Sequence, residues 1–100
     1  MIMRIICAMK YTWDESKRQS NLNQHGLDFS DAEKLFSGPV VLFENTQNGY
    51  SEQKMIAAGL LDFSTVLVVY VKSGDETKII SMRKADSDET DLYYKNAGYF

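Results

Sequence analysis

The stretch KIISMRKA (78–85) ends with two cations side by side, Arg83 and Lys84. Lys72 closes the strand-like stretch before it, and Lys54 opens the one before that, two residues after Glu52. Cations so placed can hold an anion such as a phosphate, and a neighbouring carboxylate or imidazole can move a proton. They read equally as solvated strand ends or local ion pairs, which are worth little and discourage edge-to-edge pairing. His25 is the one histidine. It closes a helical stretch, where the helix dipole favours the charged imidazole, and it suits either a structural cap or a proton donor or phosphate contact near neutral pH. Trp13 reads as a core anchor rather than a stacking platform, and Cys7 as a small buried hydrophobe.

These side chains need strands to place them. RIICAMKYTW (4–13) reads as a first strand, followed by VVLFE (40–44), QKMIAAGLL (53–61), TVLVVYVK (65–72) and TKIISMRK (77–84). The links DFS and SGDE are of hairpin length, so the last three strands run antiparallel. Alternation puts Thr77, Ile79, Ser81 and Arg83 on one face and Lys78, Ile80, Met82 and Lys84 on the other. Arg83 and Lys84 therefore cannot clamp one anion unless a bulge turns one of them. Tyr70 and Lys72 share a face. Lys72 and Lys54 fall near one rim as neighbours, Arg83 near the other.

Helices fill the rest. Asp14 suits an N-cap, and DESKRQSNLNQH should stop at Gly26. Leu22 is the one large apolar residue of that helix, so burial alone cannot hold it. Asp14, Arg18, Asn21 and His25 form a polar stripe with Lys17 beside it. Ser30 and Glu33 suggest a capping box for a short second helix with Ala32, Leu35 and Phe36 inward, stopped by Gly38 and Pro39. Asp86 or Ser87 can cap a last helix carrying Glu89 in its first turn and Leu92, Tyr93 and Ala97 on one side. The order β-α-α-β-β-β-β-α implies an α+β domain: an antiparallel meander with helices packed on one face.

Composition narrows the classes. One hundred residues at 44% hydrophobic and 25% charged make one modest globular domain, residues 1–100. One cysteine and one histidine exclude an internal disulfide, a Cys- or His-rich metal site and any two-imidazole mechanism. No stretch approaches the ~20 apolar residues of a membrane span, and MIMRIICAM lacks a signal-peptide pattern, which suggests a cytoplasmic protein. A net charge of −3 argues against general nucleic-acid affinity but not against a local basic patch.

YTWDESKRQSNLNQHGLDFSDAEKLF (11–36), the Gly-Pro after it, and KIISMRKA with Glu89 and Tyr93 downstream resemble the BrnT toxins, the toxin halves of a bacterial type II toxin–antitoxin system. The resemblance runs from about Lys10 to Tyr94, so residues 1–8 would precede the usual family start at Met9. The family's Trp-Asp-Glu matches Trp13, Asp14 and Glu15, its Lys matches Lys17, its Asn matches Asn21, and its His-Gly matches His25 and Gly26. Its Gly-Glu-x-Arg stretch corresponds to Ser51, Glu52, Gln53 and Lys54. Its Tyr-Thr-x-Arg corresponds to Tyr70, Val71, Lys72 and Ser73. Its Ile-Ile-Ser-Ala-Arg-Lys-Ala keeps every residue but the first alanine, which is Met82 here.

The resemblance implies a RelE-like fold and a ribonuclease, a hydrolase that inhibits translation. It implies a partner antitoxin of the BrnA type, with a ribbon–helix–helix domain, in a hetero-oligomer that represses its own operon. DNA would be met only through the antitoxin, and neither a membrane nor a cofactor is involved. Metal-free cleavage would use the ribose 2′-OH as nucleophile, with Arg83 and Lys54 stabilising the phosphate, Glu52 or His25 as base or acid, and Tyr93 as acid or stacking ring. Lys72, Lys84, Lys17 and Arg18 would add RNA contacts. Lysine in place of two family arginines loses bidentate phosphate geometry. That change and the acidic balance support a second reading: a catalytically weak module that mainly holds its antitoxin and tunes repression.

Overall fold

A computed structural model of the chain describes residues 10–47 and 53–98. These form β1 (Lys10–Trp13), α1 (Glu15–His25), a 3-10 turn (Phe29–Asp31), α2 (Ala32–Phe36), β2 (Val41–Gln47), β3 (Gln53–Leu61), β4 (Ser64–Ser73), β5 (Glu76–Lys84) and α3 (Ser87–Asn96). The α+β class and the element order agree with the sequence. Asp14 caps α1 by accepting from the Ser16 N–H at 2.9 Å, and Gly26, at φ 69°, ends it with its N–H on the Leu22 carbonyl at 2.9 Å. Asp86 caps α3 in a reciprocal capping box with Glu89. The second helix differs. Its lead-in is capped by Asp28, which accepts from the Ser30 N–H at 3.0 Å, and no Ser30–Glu33 box forms.

The sheet order is β1-β5-β4-β3-β2. Strands β2 to β5 form the antiparallel meander, while β1 pairs with β5 in parallel, from Lys10 opposite Glu76 to Trp13 opposite Ile79. The sheet is thus mixed, not wholly antiparallel. The chain leaves β1 into α1 rather than into a hairpin, and a parallel partner is reached only through such a crossover.

One face of the sheet packs under the 3-10 turn and α2. Phe29, Ala32 and Leu35 meet Ala57, Val66, Val68, Ile79 and Met82, all fully buried. Phe36 stacks on Tyr11 with centroids 5.9 Å apart and meets Tyr70 edge-on at 5.2 Å. Gly59 lets Leu35 seat on the sheet, because a Cβ there would sit 2.6 Å from Leu35 Cδ2. Trp13 and Tyr11 border the same cluster.

The opposite face is covered by α3, where fully buried Tyr93 packs on Ala58 and Leu67 and its hydroxyl donates to the Pro39 carbonyl at 2.9 Å. The helices therefore do not share one face. Tyr94 and Ala97 pack beside Tyr93, whereas Leu92 stays 47% exposed. Among the described residues no helix is long and apolar enough to cross a membrane.

Candidate functional site

The register of β4 and β5 slips between Val69 and Tyr70: Tyr70 stands opposite Ile79 and Val69 opposite Ser81, leaving Ile80 as an extra residue. A bulge of this kind re-aims every side chain beyond it. Ile79 and Met82 are both buried in the same core cluster, three residues apart. An unbroken strand would point them to opposite faces. Thr77, Ile79, Met82 and Lys84 thus belong to the α2 face, while Lys78, Ser81 and Arg83 belong to the α3 face. The sequence reading, with strict alternation through Ile80, had Lys78 and Arg83 on opposite faces. Arg83 and Lys84 remain on opposite faces, as expected, because the bulge precedes both.

Three rows on the α3 face follow from the pairings. Ala58, Leu67 and Arg83 form the first, Ile56, Val69 and Ser81 the second, and Lys54, Val71 and Lys78 the third. Thr12 of β1 stands opposite Lys78 and extends the third row. The first row lies under α3. The second and third are half-buried at Ile56, Val69, Val71 and Ser81 and exposed at Lys54 and Lys78. This open half is a shallow, β-branched surface ended by two lysines. Strand spacing puts their Cα atoms ~10 Å apart, on either side of Val71, so both ammonium groups can reach one phosphate. Arg83 stands opposite Leu67, four residues along β4 from Val71 and about 13 Å from that row. It borders the same surface.

Arg83 is already engaged. Its two guanidinium ends donate to the Glu89 carboxylate at 2.9 and 2.8 Å, and one also reaches the Lys84 carbonyl at 3.2 Å. Glu89 also accepts from the Asp86 N–H at 3.0 Å. These bonds, led by the one from Arg83, lower the Glu89 pKa, and Glu89 raises that of Arg83 in turn. The Arg83 side chain is 47% exposed, so the fork is open to exchange with a second anion.

The remaining candidates scatter. Lys72 shares a face with Tyr70, as expected, but its backbone stands opposite Gln53 and Thr77 on the α2 face, away from Lys54. The two lysines are neighbours along the sheet and are separated by its thickness. Lys84 is exposed at the other end of the α2 face. Lys17 and His25 are exposed on α1, off the sheet. Arg18 is turned inward: it donates to both Asp28 oxygens at 2.8 and 3.1 Å and to Glu15 at 2.6 Å. That arrangement holds the Asp28 carboxyl down at about 2 and ties α1 to the loop before α2. Tyr93 is fully buried on Ala58 and Leu67, where its ring cannot stack on a bound base. Glu52 lies outside the described residues.

The polar stripe of α1 is explained by its bonds. Asn21 is buried, and its side-chain amide donates to the Met82 carbonyl at 3.0 Å while its oxygen accepts from the Met82 N–H at 3.1 Å. Strand β1 ends opposite Ile79, so Asn21 takes the place of a strand partner on the edge of β5 just beyond. It also donates to the Leu27 carbonyl at 3.2 Å. The stripe of Asp14, Arg18 and Asn21 fastens α1 to its own fold.

A family model for the ribonuclease toxin BrnT of type II toxin–antitoxin systems matches residues 13–89. The chain belongs to the BrnT family. A search of curated proteins finds no match. The BrnT match spans both halves of the site described above, from Trp13, whose Nε1 donates to Glu15 at 3.3 Å, to Glu89 at the Arg83 fork. It makes this a family of ribonuclease toxins and implies an antitoxin partner. Within the BrnT block 11–36 the motif residues act mainly as scaffold. The candidate that sequence reasoning missed is Lys78, exposed on the same face as Lys54 and Arg83. The one signal for it was the spacing of Ile79 and Met82, two apolar residues whose joint burial requires a phase change in the strand.

Proposed function

We propose that this chain is the toxin of a type II toxin–antitoxin pair: a metal-independent endoribonuclease of the cytoplasm that inhibits translation and is neutralised by a ribbon–helix–helix antitoxin. The observation that carries the reading is the BrnT match over residues 13–89. The open half of the α3 face supports it with a place for the chemistry. A 2′-OH gives its proton to a base and its oxygen attacks the adjacent phosphorus. The bond to the 5′ oxygen breaks, and that oxygen takes a proton. The products are a 2′,3′-cyclic phosphate and a 5′-hydroxyl end. Lys54 and Lys78 hold the phosphoryl oxygens as charge grows on them. Arg83 contacts a neighbouring phosphate when Glu89 yields part of its fork. Glu52 is the candidate for base or acid at this surface, while His25 and Lys17 on α1, with Lys72 and Lys84, add outer contacts. Purified protein should cleave RNA in EDTA and leave cyclic-phosphate ends. Loss of cleavage on chelation would refute metal independence.

One observation favours a weaker enzyme. Both arginines among the described residues, Arg18 and Arg83, are held in bidentate carboxylate pairs, so a phosphate must compete with a carboxylate for either of them. The second reading is a module that binds antitoxin and cleaves little. Induced expression separates the two: growth arrest relieved by the antitoxin supports the toxin, and tight antitoxin binding with no arrest supports the module.

A further inference from the structure

The β3–β4 hairpin turns on two residues, Asp62 and Phe63, both at positive φ, 52° and 69°. Two-residue hairpins with both central residues left-handed select Asn-Gly or Asp-Gly, because glycine alone enters that region without a Cβ clash. Asp62 fits the first position and Phe63 violates the second. Burial does not compensate: Phe63 is 99% exposed, against 47% for Leu92, the next most exposed large apolar side chain among the described residues. A strained backbone that displays a bare aromatic ring has no explanation in folding stability, and such outliers point to a contact made elsewhere.

The surroundings select the occupant. The Ala85 N–H donates to the Thr65 carbonyl at 2.9 Å, so the chain turns into α3 beside the hairpin, carrying exposed Asp86 and Asp88. Exposed Asp62 precedes the ring. Arg83 is paired with Glu89, and Lys84 is the other cation of β5 at this end. Around the ring the exposed carboxylates of Asp62, Asp86 and Asp88 make an acidic rim, complementary to a partner surface that carries lysine or arginine. Val71, between Lys54 and Lys78, lies eight residues along β4, about 26 Å from the ring.

We propose that Phe63 is a docking anchor for a protein partner, inserted into an apolar pocket edged by lysine or arginine, and that this partner is the antitoxin. The proposal rests on the toxin–antitoxin reading only for the existence of that partner. An aromatic at the centre of a contact, ringed by complementary charge, is the usual form of a binding hot spot. The test uses the full chain and its operon antitoxin. Phe63→Gly should raise the thermal midpoint, because the turn is relieved, and should weaken antitoxin binding on the order of tenfold or more. Phe63→Asn keeps a left-handed-tolerant residue without the ring and should show the same loss. Phe63→Trp should retain affinity. RNA cleavage should be unchanged in all three. Antitoxin affinity retained by Phe63→Gly and Phe63→Asn would overturn the anchor while leaving the toxin reading intact. Loss of RNA binding with antitoxin affinity unchanged would overturn it in favour of a base-stacking ring. Failure of the unmodified chain to bind antitoxin would overturn both.

Discussion

The two faces of the sheet are built by different rules. On the α2 face, apolar side chains from the 3-10 turn, α2 and four strands close a continuous core. On the other, α3 brings essentially one large buried ring, Tyr93, and leaves the rows from Ile56 to Lys78 half open. A domain of this size has little stability to spare, so it concentrates packing on one face and leaves the other for contacts. If that division holds, substitutions on the closed face should damage folding, and those on the open face should damage function alone.

The closed face should give the largest effects. Leu35 is fully buried against Gly59. Leu35→Ala should lower stability by about 2–5 kcal/mol in urea denaturation. Gly59→Ala, which adds a single methyl against the same side chain, should cost about 1–3 kcal/mol by overpacking. A neutral result at both would show that α2 does not close this core. Asn21→Ala comes next, at roughly 2 kcal/mol, because it leaves the Met82 N–H and carbonyl without their partner. Hydrogen exchange at the Met82 amide should rise with it.

How much of this contrast the sequence disclosed depends on the range of the interaction. The two hairpins, the Asp14 and Asp86 caps and the Gly26 stop are local signals, and each agrees with the structure, whereas β2 runs on to Gln47, three residues past the expected end at Glu44, and residues 4–9 of the expected first strand, Cys7 among them, lie outside the described residues. Asn21 is different. Its polar stripe was visible, but its partner is 61 residues away and lies on a strand edge created only when β1 stops short. The Ile80 bulge is of the same kind. Alternation carries the face assignment only while the register is unbroken, and one extra residue moved Lys78 onto the face of Arg83. The cap at Asp28 rather than Ser30 is local, a bond between residues two apart, but the seat of α3 opposite α2 follows from packing between elements distant in sequence.

On the open face the effects should be functional and smaller. Lys54→Ala and Lys78→Ala should each lower RNA cleavage on the order of tenfold, about 1.4 kcal/mol, with stability within ±0.5 kcal/mol. Lys72→Ala, on the other face, should change cleavage far less. Equal losses at Lys72 and Lys78 would break the face assignment. Glu89→Gln sharpens it further by weakening the hold on the Arg83 fork. RNA affinity should rise a few-fold, and stability should fall by ~1 kcal/mol or less, since the pair is part-exposed.

Acid should separate the two arginine forks without any substitution. Asp28, against Arg18, is lowered from 3.8 to about 2, and Glu89, against Arg83, is lowered from 4.5. A depressed carboxylate pKa stabilises the fold fully above its unfolded value and loses that contribution as pH falls through the folded one. The Glu89 contribution therefore begins to fade below about pH 4.5, and the Asp28 contribution fades between about 3.8 and 2. Glu89 starts from the higher unfolded value, so its fork begins to weaken first as pH falls. Amide exchange in the first turn of α3 should quicken with acidification while the α1 end of the Arg18 fork is still protected. Simultaneous loss of both would mean that α3 and the closed face unfold as one unit, and that the open face owes its character to charge rather than to looser packing.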